Sequence, residues 1–188
     1  MRVIGLAGWS GSGKTRLAAA LIPVLAARGL RVSTVKHAHH AFDVDTPGKD
    51  SWTHRQAGAS EVLVSSQSRW ALMHEHRGEA EAPLSELLKR LSPCDLVLVE
   101  GFKRAPLPKL EVYRAVVGKP PLHARDPNVV LVASDDPCPE AQVPVLSPDD
   151  LPALADAALE AARPIGDVIA SLEAALIAMD QVDHGPTQ

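Results

Sequence analysis

The feature that most restricts the fold is a set of short runs that are apolar throughout and alternate with helical patterns. Such runs read VIGLA near the amino terminus, LVLV before Glu100 and VVLVA before Ser134. A strand that is apolar on both sides is buried on both faces, and this pattern is typical of a parallel sheet with helices on each side. Hydrophobic residues make up 46% of the chain but aromatic residues only 3%, so we expect an aliphatic core.

The segments between these runs complete the predicted order of elements. Apolar spacing and helix-end signals predict helices over residues 14–28, 51–57, 84–91, 147–159 and 165–179. EVLVSS and RWALMHE are separated by SQS, which predicts an antiparallel hairpin, and RVSTVK predicts a further strand. KLEVYR alternates and predicts a strand exposed on one face. We therefore predict a three-layer α/β fold with a mostly parallel sheet and one antiparallel hairpin.

The segment GWSGSGKT, residues 8–15, lies between the first predicted strand and the first predicted helix. It fits the phosphate-loop pattern G-x-x-x-x-G-K-[ST], with Gly8, Gly13, Lys14 and Thr15 at the fixed positions. Glycines allow backbone angles at which successive N–H groups turn inward around an anion, and the helix start adds unpaired N–H groups. A flexible Gly-Ser turn is the alternative, but the flanking strand and helix favour phosphate binding.

Each residue of this loop has an expected role. The backbone of the loop would hold phosphate oxygens through Ser10, Gly11, Ser12, Gly13, Lys14 and Thr15. The Lys14 ammonium group would reach the β- and γ-phosphates, and the Thr15 hydroxyl would coordinate Mg²⁺.

Polar residues that follow the apolar runs should gather at one edge, because ligands of a parallel sheet bind at the carboxyl ends of its strands. Glu100 follows LVLV, where a carboxylate can hold Mg²⁺ or its water; a solvated loop carboxylate is the alternative. Asp95 begins the same strand, so at about 3.3 Å per residue it lies more than ~10 Å away on the opposite edge. Lys36 ends the second strand and could contact a phosphate or a second ligand, or be an ordinary exposed lysine.

Further carboxylates could complete the site. One of Asp43, Asp45 and Asp50 would complete the magnesium shell, and Asp50 is best placed because it starts a short helix. Asp135 closes the run VVLVASD, where it could accept hydrogen bonds from the N1–H and amino groups of guanine. A turn aspartate is the alternative, since the usual guanine signature N-K-x-D is absent.

Composition excludes several classes of function. The net charge is −4 and the basic residues are scattered, which argues against a nucleic-acid binder. No apolar run reaches the about 18 residues of a membrane span. Cys94 and Cys138 form neither a metal-binding pair nor a disulfide framework, and His37, His39 and His40 lack the fixed spacing of a metal site. We expect a soluble, cytoplasmic protein.

In order and spacing, GWSGSGKT, VKHAHHAFDVDTPGKDS, SQSRWALM and DLVLVEGFK resemble the molybdopterin-guanine dinucleotide biosynthesis adaptor protein B (MobB) family. The likeness runs from about Val3 to Asp150, and nothing past Pro164 matches. Residues 1–164 are therefore expected to form a P-loop nucleotide-binding domain, and residues 165–188 a helical extension and a frayed tail of the same domain.

The resemblance implies a GTP-binding adaptor with slow, Mg²⁺-dependent GTPase activity in molybdenum cofactor biosynthesis. Its expected partners are the guanylyltransferase that joins GMP to the molybdenum cofactor, the molybdopterin cofactor itself, and a second copy of the chain in contact near Gln67–Trp70. The family is similar to dethiobiotin synthetase, where matching residues surround nucleotide and metal. Carried over by motif, these are Lys14, Thr15, Asp50 and Glu100, with Thr15, Asp50 and Glu100 expected to bind the metal. We expect Lys14, Glu100 and the strand-end Lys36 to be the catalytic residues.

Two alternatives remain at this point. A small-molecule kinase or ATP-dependent ligase resembling dethiobiotin synthetase would use Lys36 and the histidines in an acceptor pocket. A binding module would hydrolyse nucleotide only incidentally. The sequence offers no evident arginine finger or water-positioning glutamine, which agrees with slow turnover.

Overall fold

The computed structural model describes residues 1–38 and 42–183. In chain order its elements are β1 (Arg2–Ala7), α1 (Lys14–Ala27), β2 (Val32–Lys36), α2 (Asp50–Gln56), β3 (Glu61–Ser65), β4 (Trp70–His74), α3 (Leu84–Lys89), β5 (Leu96–Glu100), β6 (Lys109–Val112), a 3-10 turn (Ala115–Val117), β7 (Val129–Ala133), β8 (Val145–Leu146), α4 (Leu151–Ala161), β9 (Arg163–Pro164) and α5 (Ile165–Asp183). They fall into two units, one of Met1–His37 with Leu84–Gln188 and one of Ala38–Pro83. The expected boundary at residue 164 stays a prediction.

The first unit is built on a seven-stranded sheet. Its strand order is β2-β5-β1-β6-β7-β8, and these neighbours pair in parallel. The short strand β9 pairs antiparallel with the start of β1. The carboxyl ends of β1, β2, β5, β6 and β7 therefore lie along one edge, as the apolar runs predict.

Helices cover both faces of this sheet. Ile4 and Leu6 of β1 pack in a core cluster with α1 and α4, whereas Val3 packs in a second cluster with α3 and α5. Successive side chains of a strand point to opposite faces, which explains why these strands are apolar throughout. The predicted three-layer fold is confirmed.

Strand β6 is buried on both faces, so the prediction that it is exposed on one face is wrong. Lys109 and Glu111 are 2% and 0% exposed. The Lys109 ammonium group donates to Asp126 Oδ2 at 2.7 Å. Glu111 accepts hydrogen bonds from the backbone N–H groups of Leu122 and His123, and His123 Nδ1 lies 2.8 Å from Glu111 Oε2. Hydrogen bonds and an ion pair with residues 122–126 offset the cost of burying these two charged side chains. The alternating sequence of the strand does not reveal these partners.

Two helix ends lie furthest from the predicted ones. Helix α4 begins at Leu151 instead of near Ser147, because the Asp150 carboxylate caps it by accepting from the N–H of Ala153. Helix α5 continues to Asp183, past the predicted end at Met179. Residues 184–188 of the predicted tail lie outside the described residues. Among residues 1–38 and 42–183, no helix has the length and apolar character needed to cross a membrane.

The second unit holds α2 and the predicted hairpin, in which β3 and β4 pair antiparallel. Leu63 lies opposite Leu72, and Ser65 lies opposite Trp70. The Arg55 guanidinium group of α2 binds the carboxylates of Asp43, Asp45 and Glu75. These ion pairs connect the helix to the segments on either side of it.

Candidate functional site

The phosphate loop curls tightly between β1 and α1. Gly8 has φ +142°, and a Cβ atom added there would lie 2.6 Å from both Ser12 Oγ and the carbonyl oxygen of Val112. The N–H of Ser12 donates to the carbonyl oxygen of Trp9 at 3.2 Å. A glycine is therefore required at position 8, both for its backbone angle and for the close approach of neighbouring atoms.

Ser12 places a polar atom inside the curl. Its side chain is 2% exposed, and Oγ has no hydrogen-bond partner among the described residues. Buried hydroxyl groups in proteins are nearly always hydrogen-bonded. An anion held in the loop would provide the acceptor that this hydroxyl group lacks.

The Lys14 side chain folds back over the same loop. Its ammonium group donates to the carbonyl oxygens of Gly8 at 3.0 Å and Trp9 at 2.9 Å. Burial and the nearby positive charge of Lys103 lower the pKa of Lys14, partly offset by Glu100. This imbalance means that an additional negative charge beside Lys14 would be electrostatically favourable.

Three of the predicted site residues meet at the ends of β5 and β2. The Thr15 hydroxyl donates to Glu100 Oε1 at 2.9 Å. The Lys36 ammonium group lies 3.6 Å from Glu100 Oε1 and 3.4 Å from Thr15 Oγ1. Strand register accounts for the meeting, since Glu100 is aligned with Leu6 of β1 and with Lys36 of β2. Asp95 lies at the opposite edge, where its carboxylate accepts from the backbone N–H of Arg31.

The Thr15 and Glu100 oxygens suit a magnesium ion. Mg²⁺ keeps several waters in proteins and takes one or two carboxylates together with substrate phosphates, so a complete protein cage is not required. Within the described part of the chain, no group of three or more His, Cys, Asp or Glu side chains could hold a metal by itself. The pair therefore fits a metal shared with a phosphate ligand and not a dedicated structural site.

A cleft of about 350 Å³ opens beside the loop and the start of α1. It is lined by Ser12, Gly13, Arg16, Leu17, Ala20, Val112, Tyr113, Arg114, Ala133, Asp135, Pro148, Asp149 and Leu151. Asp135 is exposed, and its Oδ1 atom accepts from the Ser147 hydroxyl at 3.2 Å. The predicted base-recognition residue thus shares a cleft with the phosphate loop.

Sequence reasoning missed four residues of this region. Tyr113 and Arg114 line the cleft directly after β6, and the rule that selected Glu100 would also have selected them. The other two residues are Trp9 and Lys103. The Lys103 ammonium group lies 5.0 Å from the centroid of the Trp9 indole ring, but no spacing rule in the sequence connects the two residues.

The remaining predicted residues belong to other surroundings. Asp50 is the first residue of α2 in the second unit, and its metal role stays a prediction. Asp43 and Asp45 are ion-paired with Arg55 in the same unit. The His37 backbone N–H donates to the Glu100 carbonyl oxygen at 2.9 Å. His39 and His40 lie outside the described residues.

Comparisons with known proteins identify the family of this chain. The family model for molybdopterin guanine dinucleotide synthesis protein B matches residues 3–135. The chain is 45% identical to the molybdopterin-guanine dinucleotide biosynthesis adapter protein of Escherichia coli (strain K12) over 161 residues, which are 84% of this chain and 91% of the relative. It is 43% identical to the protein of the same name from Haemophilus influenzae over 82% of this chain and 85% of the relative.

A solved structure supports the fold. Bacillus subtilis MobB superposes with a TM-score of 0.66 over 87% of this chain and 99% of that chain, at 24% identity. The predicted P-loop fold and the predicted family are thus confirmed. The chain belongs to the molybdopterin guanine dinucleotide synthesis protein B family.

Proposed function

We propose that this chain is a Mg·GTP-binding adapter in the synthesis of molybdopterin guanine dinucleotide, with slow GTPase activity. The observation that carries the nucleotide site is the buried Ser12 hydroxyl, which has no hydrogen-bond partner among the described residues and lies inside a curled loop. The adapter role rests on membership of the family and on the names of the relatives.

Different side chains of the site would contact different parts of the Mg²⁺–triphosphate complex. Lys14 would exchange its two carbonyl contacts for oxygens of the β- and γ-phosphates, which are better acceptors because they carry charge. The Thr15 hydroxyl and Glu100 carboxylate would hold Mg²⁺, which when bound neutralises phosphate charge. Lys36 adds a second ammonium group beside the same carboxylate. The metal role expected of Asp50, a residue of the second unit, stays a prediction.

Hydrolysis by such a site would be slow. Lys14 can stabilise the negative charge that develops on the phosphoryl group. Proton transfer from water requires a group that orients the attacking water, and the cluster of Lys14, Thr15, Lys36 and Glu100 includes no glutamine or histidine for that role. The guanylyltransferase or a second copy of the chain would have to supply such a group for faster turnover.

The cleft would take the nucleoside end of GTP. Its volume of about 350 Å³ is within the range of small-molecule sites. The Asp135 carboxylate can accept two hydrogen bonds from the N1–H and amino groups of guanine, whereas adenine lacks this pair of donors. The Ser147 hydroxyl donates to Oδ1 of this carboxylate at 3.2 Å.

Titration of GTP and ATP, each with and without Mg²⁺, tests this assignment. We expect the wild-type protein to prefer GTP and to bind it more tightly with Mg²⁺. Asp135→Asn should lower the GTP-to-ATP affinity ratio by roughly tenfold, because the amide cannot accept both donors of guanine. Asp149→Asn is the matched control, since it removes the same charge from the same cleft.

Three results would contradict parts of the proposal. An affinity ratio that Asp135→Asn leaves unchanged would assign base selection to other cleft residues. Binding that is equally tight without Mg²⁺ would exclude the metal role of Thr15 and Glu100. Transfer of a labelled γ-phosphate to an organic acceptor, instead of to water, would favour a small-molecule kinase.

We also propose that the chain forms a homodimer through the hairpin. Strand pairing places Leu63, Trp70 and Leu72 on one face, and their side chains are 62%, 62% and 44% exposed. Large apolar side chains that cluster on an exposed sheet face are typical of protein contacts. A second copy of the chain can cover this face with the same residues.

Leu63→Glu should convert the dimer to a monomer, because a carboxylate would be buried at the contact. Val116→Glu is the control, since Val116 is 81% exposed in the other unit and should keep the dimer. Sedimentation equilibrium measures the mass directly. A dimer that persists with Leu63→Glu would place the contact elsewhere.

A further inference from the structure

Lys103 has a defined position at the entrance of the phosphate loop. Its ammonium group lies over the indole of Trp9, 5.0 Å from the ring centroid. The indole is held in turn, because its Nε1–H donates to the Pro120 carbonyl oxygen at 2.7 Å. Trp9 is a loop residue whose own carbonyl oxygen accepts from Lys14 at 2.9 Å. The indole therefore places a second ammonium group beside the loop lysine.

The backbone that carries Lys103 is fixed by the turn after β5. Gly101 has φ +102°, and a Cβ atom there would lie 2.8 Å from His37 Cβ and 3.0 Å from the His37 carbonyl oxygen. The Lys103 N–H donates to the Gly101 carbonyl oxygen, and Phe102 packs against the core cluster of α3 and α5. The turn thus directs Phe102 inward, while the side chain of Lys103 is half-buried beside the loop.

The charges around the loop are unbalanced. Lys14 is close enough to Lys36 and Lys103 to be repelled by both, whereas one carboxylate, Glu100, attracts it and is already engaged by the Thr15 hydroxyl. The contact of an ammonium group with an indole face is weaker than a charge-assisted hydrogen bond to a phosphate oxygen. A multiply charged anion would therefore draw the Lys103 ammonium group from the ring to itself.

The position of the cleft indicates which phosphate Lys103 would contact. Ser12, Gly13 and Arg16 line the cleft that we assign to the nucleoside. Trp9 and Lys14 are not among the residues that line this cleft, and the Lys14 ammonium group contacts the carbonyl oxygens of Gly8 and Trp9. A triphosphate that starts at the cleft and follows the loop ends beside Lys14 and Lys103.

We propose that Lys103 is a ligand of the terminal phosphate, which makes this site discriminate a nucleoside triphosphate from a diphosphate. The proposal rests on the proposed nucleotide site and adds a residue to it. Trp9 serves as the platform from which the ammonium group reaches the phosphate. Lys103 would also be a catalytic residue for hydrolysis, because it touches the phosphoryl group that is transferred.

Affinities for GDP and for a non-hydrolysable GTP analogue test this proposal in the full-length protein. Lys103→Met keeps the length of the side chain but removes its charge, so the affinity for the analogue should fall roughly tenfold, while that for GDP changes less than about twofold. Lys103→Arg should restore the preference for the triphosphate. Arg104→Gln is the matched control, since it removes one positive charge from the next, exposed residue and should alter neither affinity.

The outcomes separate this proposal from the proposed function. An equal loss of affinity for both nucleotides with Lys103→Met, or no loss, would overturn the assignment of Lys103 while the nucleotide site stands. A similar change with Arg104→Gln would show a general charge effect and would also overturn it. Wild-type protein that bound neither nucleotide would reject the nucleotide site itself, and with it the role of Lys103.

Discussion

Lys14→Ala is expected to lower the affinity for GTP by more than about 100-fold. The ammonium group would make charge-assisted hydrogen bonds to two phosphates, each worth about 1.5–3 kcal/mol, so their combined loss exceeds about 3 kcal/mol. Its pKa is lowered by burial and by Lys103, which means that the site holds a cation at a cost that a bound anion would offset. Isothermal titration with Mg·GTP measures the change.

The control must separate loss of a ligand contact from loss of loop structure. Lys14 donates to the Gly8 and Trp9 carbonyl oxygens, so its removal also loosens the loop. Thermal denaturation of the variant shows whether the fold survives. Lys119→Ala removes an exposed lysine and should keep full affinity. Undiminished GTP binding by a folded Lys14→Ala protein would exclude the phosphate-loop assignment.

Gly8→Ala should have the second-largest effect, on both stability and binding. The new Cβ atom would lie 2.6 Å from the Val112 carbonyl oxygen, which belongs to the backbone of β6 and cannot rotate away. The backbone angle φ +142° is also one that alanine rarely adopts. We expect the free energy of unfolding to fall by about 2–4 kcal/mol, and GTP binding to be lost because the curl of the loop must open.

Gly11→Ala provides the comparison within the same loop. Gly11 has φ +81°, but apart from Gly11 and its chain neighbours no atom of the described residues lies within 4 Å of an added Cβ. This substitution should lower the free energy of unfolding by about 1 kcal/mol through backbone strain alone. Urea denaturation measures both variants. Equal destabilisation by the two substitutions would mean that the contact with Val112 is unimportant.

The parts of the site that could be predicted from the sequence depend on local pattern and strand order. The phosphate-loop pattern at residues 8–15 is recognised from its residues together with the predicted strand before it and the predicted helix after it. Glu100 and Lys36 are the last residues of β5 and β2, and parallel pairing places such ends together. Both inferences need only the period of the side chains and the direction of the strands.

Other parts depend on contacts between distant segments and could not be predicted. The burial of Lys109 and Glu111 requires partners at residues 122–126, and no spacing rule connects these positions. The contact of Lys103 with Trp9 depends on the turn at Gly101 and on the anchoring of the indole by Pro120. For Asp50, the sequence predicts the start of a short helix, which the structure has at this residue, but no local pattern decides its metal role.

The buried carboxylate of β6 has a consequence for the evolution of this chain. Glu111 fastens the segment that also carries Pro120, the acceptor for the indole of the loop. A change in the length of that segment would leave Glu111 with unmet hydrogen bonds, while an apolar residue at position 111 would release the segment. In homologous chains, the residue at position 111 and the length of the segment that carries Pro120 should therefore change together. Such covariation would show how the anchoring of this segment by Glu111 arose.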